Sequence, residues 1–160
     1  VRIGRNTSIG QPGFGFAINK LSNKKIYHLG RVILQSNVNI GSNCCIDRGS
    51  FGDTIIGENT YFDNLCHIAH NVVVGSNCIF AAMAGIAGST KIGNYVMAGG
   101  QVGISGHLSI GNNVQIAAKS AIFKFETKTS GRAVNIILFL SESSKRSNSG
   151  LVNISPTKDE

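Results

Sequence analysis

The segment Asp63-Asn64-Leu65-Cys66-His67-Ile68-Ala69-His70-Asn71 places two imidazoles and a carboxylate within nine residues. Gly88 follows His70 by eighteen positions, and His107 follows Asn71 by 36. An imidazole with a reference pKa of about 6.5 can take up a proton near neutral pH. A glycine amide left open can hydrogen-bond a developing oxyanion. A base, an open amide and a nearby carboxylate are what acyl transfer to an amine requires. Taken singly, each has an ordinary alternative. His70 can be a surface residue, His107 an exposed corner, and His67 filler beside Ile68. His28 lies in an irregular stretch, and nothing in the sequence supports a role for it.

The elements that must position these residues are set by a six-residue rule. Ile56, Phe62, Ile68, Val74, Phe80, Ile86, Ile92, Ala98, Ile104, Ile110, Ile116 and Ile122 recur without a slip. A smaller residue precedes most of them by two positions, and Gly, Ala or Ser usually follows directly. Helices repeat near 3.6 and simple strands at two. A period of six fits a short strand and a sharp corner, three times per eighteen-residue coil, the hexapeptide signature of a parallel β-helix. The coil echo is visible in Ile56-Gly57, Val74-Gly75, Ile92-Gly93 and Ile110-Gly111. Gly and Asn near these corners tolerate positive φ. On this register His70 stands on the outer half of its side with Gly88 one coil above. Asn71 and His107 share a column about 10 Å apart, at ~4.8 Å per coil.

The register runs upstream with two breaks. Four extra residues loop out near Arg48–Asp53, and an excursion between Ile9 and Leu34 carries Gly13-Phe14-Gly15-Phe16 and Lys20, Lys24 and Lys25. Loops that interrupt a regular solenoid are natural binding places. The expected organisation is a β-helix over residues 1–123 and an irregular, disordered tail over 124–160. The chain starts in mid-coil without a cap, as a fragment or a shortened chain does.

Composition narrows the function classes. The 160 residues suit one domain, and 20 Gly with two Pro and no Trp suit a solenoid of many corners. The net charge of +7 favours an acidic protein, a phosphorylated ligand or an anionic surface. No basic stripe with interleaved aromatics suggests nucleic acid. Cys44, Cys66 and Cys78 occupy the small inward slot and suit buried packing; no CxxC spacing occurs. No metal site is expected. No signal peptide and no apolar run of transmembrane length is seen, so a cytoplasmic location is the expectation.

The stretches Ile9-Gly10-Gln11-Pro12-Gly13-Phe14-Gly15-Phe16, Gly30-Arg31-Val32, Ile46-Asp47-Arg48-Gly49, Asp63-Asn64, Ile68-Ala69-His70-Asn71-Val72-Val73-Val74-Gly75 and Gly106-His107 resemble the UDP-3-O-(3-hydroxyacyl)glucosamine N-acyltransferases of lipid A synthesis. The resemblance covers roughly residues 1–123. It implies an all-β, left-handed parallel β-helix, a homotrimer and active sites between subunits. It implies an acyl chain delivered by acyl carrier protein on its phosphopantetheine arm to the amine of a UDP-sugar lipid, with no resident cofactor. By position, His70 would be the general base, Asp63 its orienting carboxylate and Gly88 the oxyanion donor. His107, Asn71, Phe14 and Phe16 would contact substrate, and Ala121 and Phe123 would meet the acyl chain. Against that family the expectation is a chain without the N-terminal uridine-binding domain, with a tail unrelated to the carrier-protein helices, as in a frameshifted copy. The competing expectations are a nucleotide-sugar acetyltransferase using acetyl-CoA and a non-catalytic β-helix. A γ-type carbonic anhydrase is disfavoured, because its zinc histidines are spaced by five, where this chain has Gly75 and Asn112.

Overall fold

The computed structural model describes residues 1–19 and 21–123; the expected tail, 124–160, lies outside the described residues. The described chain winds into a parallel β-solenoid with three faces, two of six strands and one of five. On each face a strand pairs with the one a coil later, in register: Phe62 with Phe80, Ile68 with Ile86, Val74 with Ile92. The hexad causes this. Each strand is so short that most hold one outward and one inward residue, and the inward one is the hexad aliphatic. Ile46, Ile56, Ile68, Phe80 and Ile86 are at most 1 % exposed. Phe62 and Phe80 stack with centroids 4.6 Å apart and planes 7° apart, and Ala98 above them leaves room for the pair. Coil-to-coil backbone bonds close the ladder, as from Ile79 N–H to Val96 O at 2.9 Å. Cys44, Cys66 and Cys78 are buried in the small slot, and Cys45 is exposed.

The corners differ from the sequence expectation in one respect. Gly57, Gly75 and Gly93 do not carry the positive φ. That falls two residues later, at Asn59, Asn77 and Tyr95 (φ 53°, 58° and 58°), and it recurs at Leu65, Met83, His107 and Lys119. The glycines instead allow close approach: a Cβ on Gly57 would lie 2.5 Å from the Gly75 carbonyl. Most left-handed corner residues donate their N–H to a carbonyl of the previous coil, as Asn77 does to Glu58 O at 2.8 Å. That bond helps side chains as bulky as Tyr95 accept a backbone otherwise disfavoured by about 1–2 kcal/mol.

Both breaks appear where the register fails. The four-residue insertion lies between the strands Cys45–Arg48 and Thr54–Ile56. The excursion is less irregular than its sequence suggests, because it forms an antiparallel hairpin of Phe16–Ile18 on Asn23–Lys25. Arg31 ties its base to the insertion through Asp53, Nη2 to Oδ2 at 2.7 Å. The excursion therefore folds back over the second face, where the strands Ser8–Pro12, Cys45–Arg48, His67–Ile68, Gly85–Ile86, Gly103–Ile104 and Ala121–Ile122 lie side by side. Among the described residues, no helix is long and apolar enough to cross a membrane.

Candidate active site

The second face is grooved because its outward column is small. His67, Gly85, Gly103 and Ala121 stand in one register line. A Cβ placed on Gly85 or Gly103 would meet nothing within 4 Å. The resulting trough has a volume of about 560 Å³, and Phe14, His67, Ala69, His70, Gly88, Ser105, Ala121 and Phe123 are among its walls. Five residues expected to do chemistry or to bind, His70, Gly88, Phe14, Ala121 and Phe123, therefore line one groove. Phe16 packs edge-on against Phe14, centroids 4.9 Å apart.

His70 is held by its neighbour. Its Nδ1 lies 3.0 Å from Asn71 Oδ1. That same oxygen accepts the Ser50 N–H and hydroxyl, both at 2.9 Å. A backbone N–H can only donate, so the Asn71 atom is the oxygen and the ring proton must sit on Nδ1. In the neutral ring His70 Nε2 then carries the lone pair. It points at Gly88, where an added Cβ would lie 2.7 Å from both Nε2 and Cε1. The glycine is needed for this close approach and not for its φ. The Gly88 carbonyl accepts from His107 N–H at 3.0 Å, while its own N–H meets no backbone acceptor among the described residues. Asn71 is itself fixed, with φ 60° and its N–H given to Thr54 Oγ1 at 2.9 Å.

Other expected residues stand elsewhere. Asp63 follows the strand Tyr61–Phe62 of the first face, around a corner from His70. It is exposed and bonds Asn64 N–H at 2.7 Å, and no hydrogen bond or ion pair joins it to His70 within the chain. The in-chain partner of His70 is Asn71, which was expected to touch substrate. His107 is an exposed left-handed corner (φ 57°) above Asn71 and does not line the trough.

Two polar residues were not legible as site members. His28, buried in the excursion, lies edge-on to His70 with centroids 4.9 Å apart. Asp47 is buried, and its Oδ2 is 3.7 Å from His67 Nε2. Burial pushes the Asp47 carboxyl up, while His67, His70 and His28 pull it back down. The signal available for Asp47 was its outward place beside the inward Ile46. Among the described residues, no three His, Cys, Asp or Glu side chains are grouped to hold a metal.

Residues 53–88 match the bacterial transferase hexapeptide (six repeats) family. The chain is 53 % identical over 72 residues to a UDP-3-O-acylglucosamine N-acyltransferase of Caulobacter vibrioides, covering 45 % of this chain and 21 % of the relative. It is 58 % identical over 65 residues to one of Methylobacterium nodulans, covering 41 % and 18 %. The chain thus spans about a fifth of the length of these curated relatives. Its fold is similar to UDP-N-acetylglucosamine O-acyltransferase from Moraxella catarrhalis, with TM-score 0.63, 29 % identity, 78 % of this chain and 48 % of that one covered. It is also similar to UDP-N-acetylglucosamine acyltransferase from Campylobacter jejuni, with TM-score 0.60, 25 % identity, 74 % and 54 % covered. By repeat, coil and sequence, this chain is a hexapeptide β-solenoid that matches the bacterial transferase hexapeptide over residues 53–88 and is similar to the UDP-3-O-acylglucosamine N-acyltransferases.

Proposed function

We propose that the trough on the second face is an acyl-transfer site acting on the amine of a UDP-3-O-acylglucosamine. The acyl donor is a 3-hydroxyacyl chain on the phosphopantetheine arm of acyl carrier protein, and no resident cofactor takes part. One observation carries the reading: a bare imidazole Nε2 faces a glycine at the head of an apolar groove. The neutral amine attacks the thioester carbonyl, and the N–C bond forms as His70 Nε2 takes the amine proton. The carbonyl oxygen becomes an oxyanion that the Gly88 N–H meets. Collapse restores the carbonyl, breaks the C–S bond and sends the proton to the departing thiolate. Such base catalysis typically contributes about 10²–10⁴-fold. Ala121 and Phe123 receive the acyl chain, Phe14 and Phe16 cover the sugar end, and His107 meets a distal phosphate.

The assembly is a homotrimer working in the cytoplasm. The first face supports self-association, because Tyr61, Ile79 and Met97 form an apolar stripe 45–48 % exposed. Asp63 stands at the edge of that face, so a role for it toward His70 is exercised on a neighbouring copy, with Asn71 orienting the ring in cis. Incubation with 3-hydroxyacyl carrier protein and the UDP-glucosamine acceptor, and separately with acetyl-CoA, tests the reading. An N-acyl product from the carrier protein alone is expected; product from acetyl-CoA alone, or none from either, overturns it.

A further inference from the structure

The excursion that breaks the coil buries a histidine against the base. His28 is 6 % exposed, and its Nδ1 lies 3.0 Å from Ile26 O. A carbonyl can only accept, so Nδ1 carries the proton and Nε2 is a lone pair. That Nε2 is buried and has no hydrogen-bond partner among the described residues. Such an orphaned acceptor is uncommon and calls for an explanation. The ring meets His70 edge-on, planes 69° apart. Two glycines permit this packing. A Cβ on Gly13 would lie 2.8 Å from His70 Cβ and 3.0 Å from His28 Nε2, and one on Gly15 would lie 3.1 Å from His28 Cε1. The Gly-Phe-Gly-Phe segment therefore runs its backbone over both rings.

We propose that His28 is a positioning residue for His70, pressing the ring so that Nδ1–H stays on Asn71 and Nε2 stays over Gly88. Its functional meaning rests on the acyl-transfer reading; its structural content does not. The other ionisable groups of this face are Asp47 and His67, paired with each other, Arg48, whose Nε donates to Gly10 O at 2.6 Å, and the exposed Cys45. None of these is hydrogen-bonded or ion-paired to His28; Asp47 acts on both rings through its charge alone, so ring contact is the direct link between His28 and His70.

The test uses the full chain labelled with ¹⁵N-histidine. Wild type should show His70 as the Nδ1–H tautomer. His28→Ala should mix the tautomers and lower kcat about tenfold or more, with acceptor KM within about threefold, as expected when a reacting group is misplaced by an ångström or less. His28→Gln can still give Ile26 O a donor and fill most of the ring's space, and should recover the tautomer and most of kcat. Gly13→Ala puts a methyl between the rings without removing either, and should reproduce the His28→Ala spectrum. If His28→Ala fails to fold, Gly13→Ala and His28→Gln decide. A wild-type tautomer pattern in His28→Ala or Gly13→Ala, or a folded His28→Gln that stays as impaired as His28→Ala, overturns the proposal. Wild type inactive with every acyl donor removes the acyl-transfer reading instead and leaves the spectra to decide the role of His28.

Discussion

Gly88→Ala is the smallest change that strikes the proposed chemistry. The new methyl carbon would stand 2.7 Å from His70 Nε2 and Cε1 and 3.2 Å from Cδ2. Ordinary contact begins near 3.4 Å, so the ring must retreat by about 0.7 Å. It cannot retreat freely, because Gly13 packs on its other flank and Asn71 holds Nδ1. A forced χ rotation of about 30° costs roughly 0.5–1.5 kcal/mol, a small loss for a β-helix. The catalytic loss should be larger. A misplacement near 1 Å costs on the order of 10²-fold, or about 2.7 kcal/mol in the barrier. Gly88→Ala should therefore lower kcat for N-acylation about 100-fold while thermal unfolding moves by only a few degrees. Combined with His70→Ala it should cost nothing further, since there is no ring left to displace. Gly88→Ala with kcat within about twofold of wild type, or a full additive loss in the double variant, would refute the close-approach argument.

Truncating the stacked core ring, Phe80→Ala, should cost about 3–5 kcal/mol in denaturant unfolding, and a loss under about 1 kcal/mol would mean that the coil collapses onto the space. Thiol titration of the native chain should modify Cys45 first, because Cys44, Cys66 and Cys78 are buried and burial pushes the Cys66 thiol up to about 11; equal labelling of all four contradicts this burial. Burial raises the Asp47 carboxyl above its usual value, so the folded chain holds that proton more tightly than the unfolded one. The contribution of Asp47 to stability is then greatest below the unfolded pKa of about 3.9 and declines as pH rises through the raised folded value. Asp47→Asn should accordingly gain stability over wild type as pH climbs from about 3 to 7, and a gain that shrinks over that range would contradict the assignment.

Much of the fold was legible because the hexad repeats one physical constraint, a large inward side chain every sixth residue, and every coil restates it. The insertion after Arg48 and the excursion after Ile9 were legible as failures of that register. The approach of His70 to Gly88 was legible for the same reason: eighteen residues return the chain to the same column, so Gly88 had to lie over His70. Three things escaped. Asp63 is near His70 in sequence, but the corner at Leu65 turns the chain onto another face, and sequence distance carries no face. The orienting role of Asn71 depends on the insertion delivering Ser50 to its oxygen, which no repeat specifies. His28 meets His70 through a hairpin outside the register, and only the small residues Gly13 and Gly15 hinted that something packs there.

The central claim is that His70 Nε2 is the base for acyl transfer in the trough. Its most direct test is the rate of N-acyl product formed from 3-hydroxyacyl carrier protein and the UDP-glucosamine acceptor by wild type and by His70→Ala, with circular dichroism of both. The account predicts a fall of about 10²–10⁴-fold in kcat with an unchanged β spectrum. A His70→Ala chain that folds and turns over within about threefold of wild type would contradict it, and the base would have to be sought elsewhere on the face.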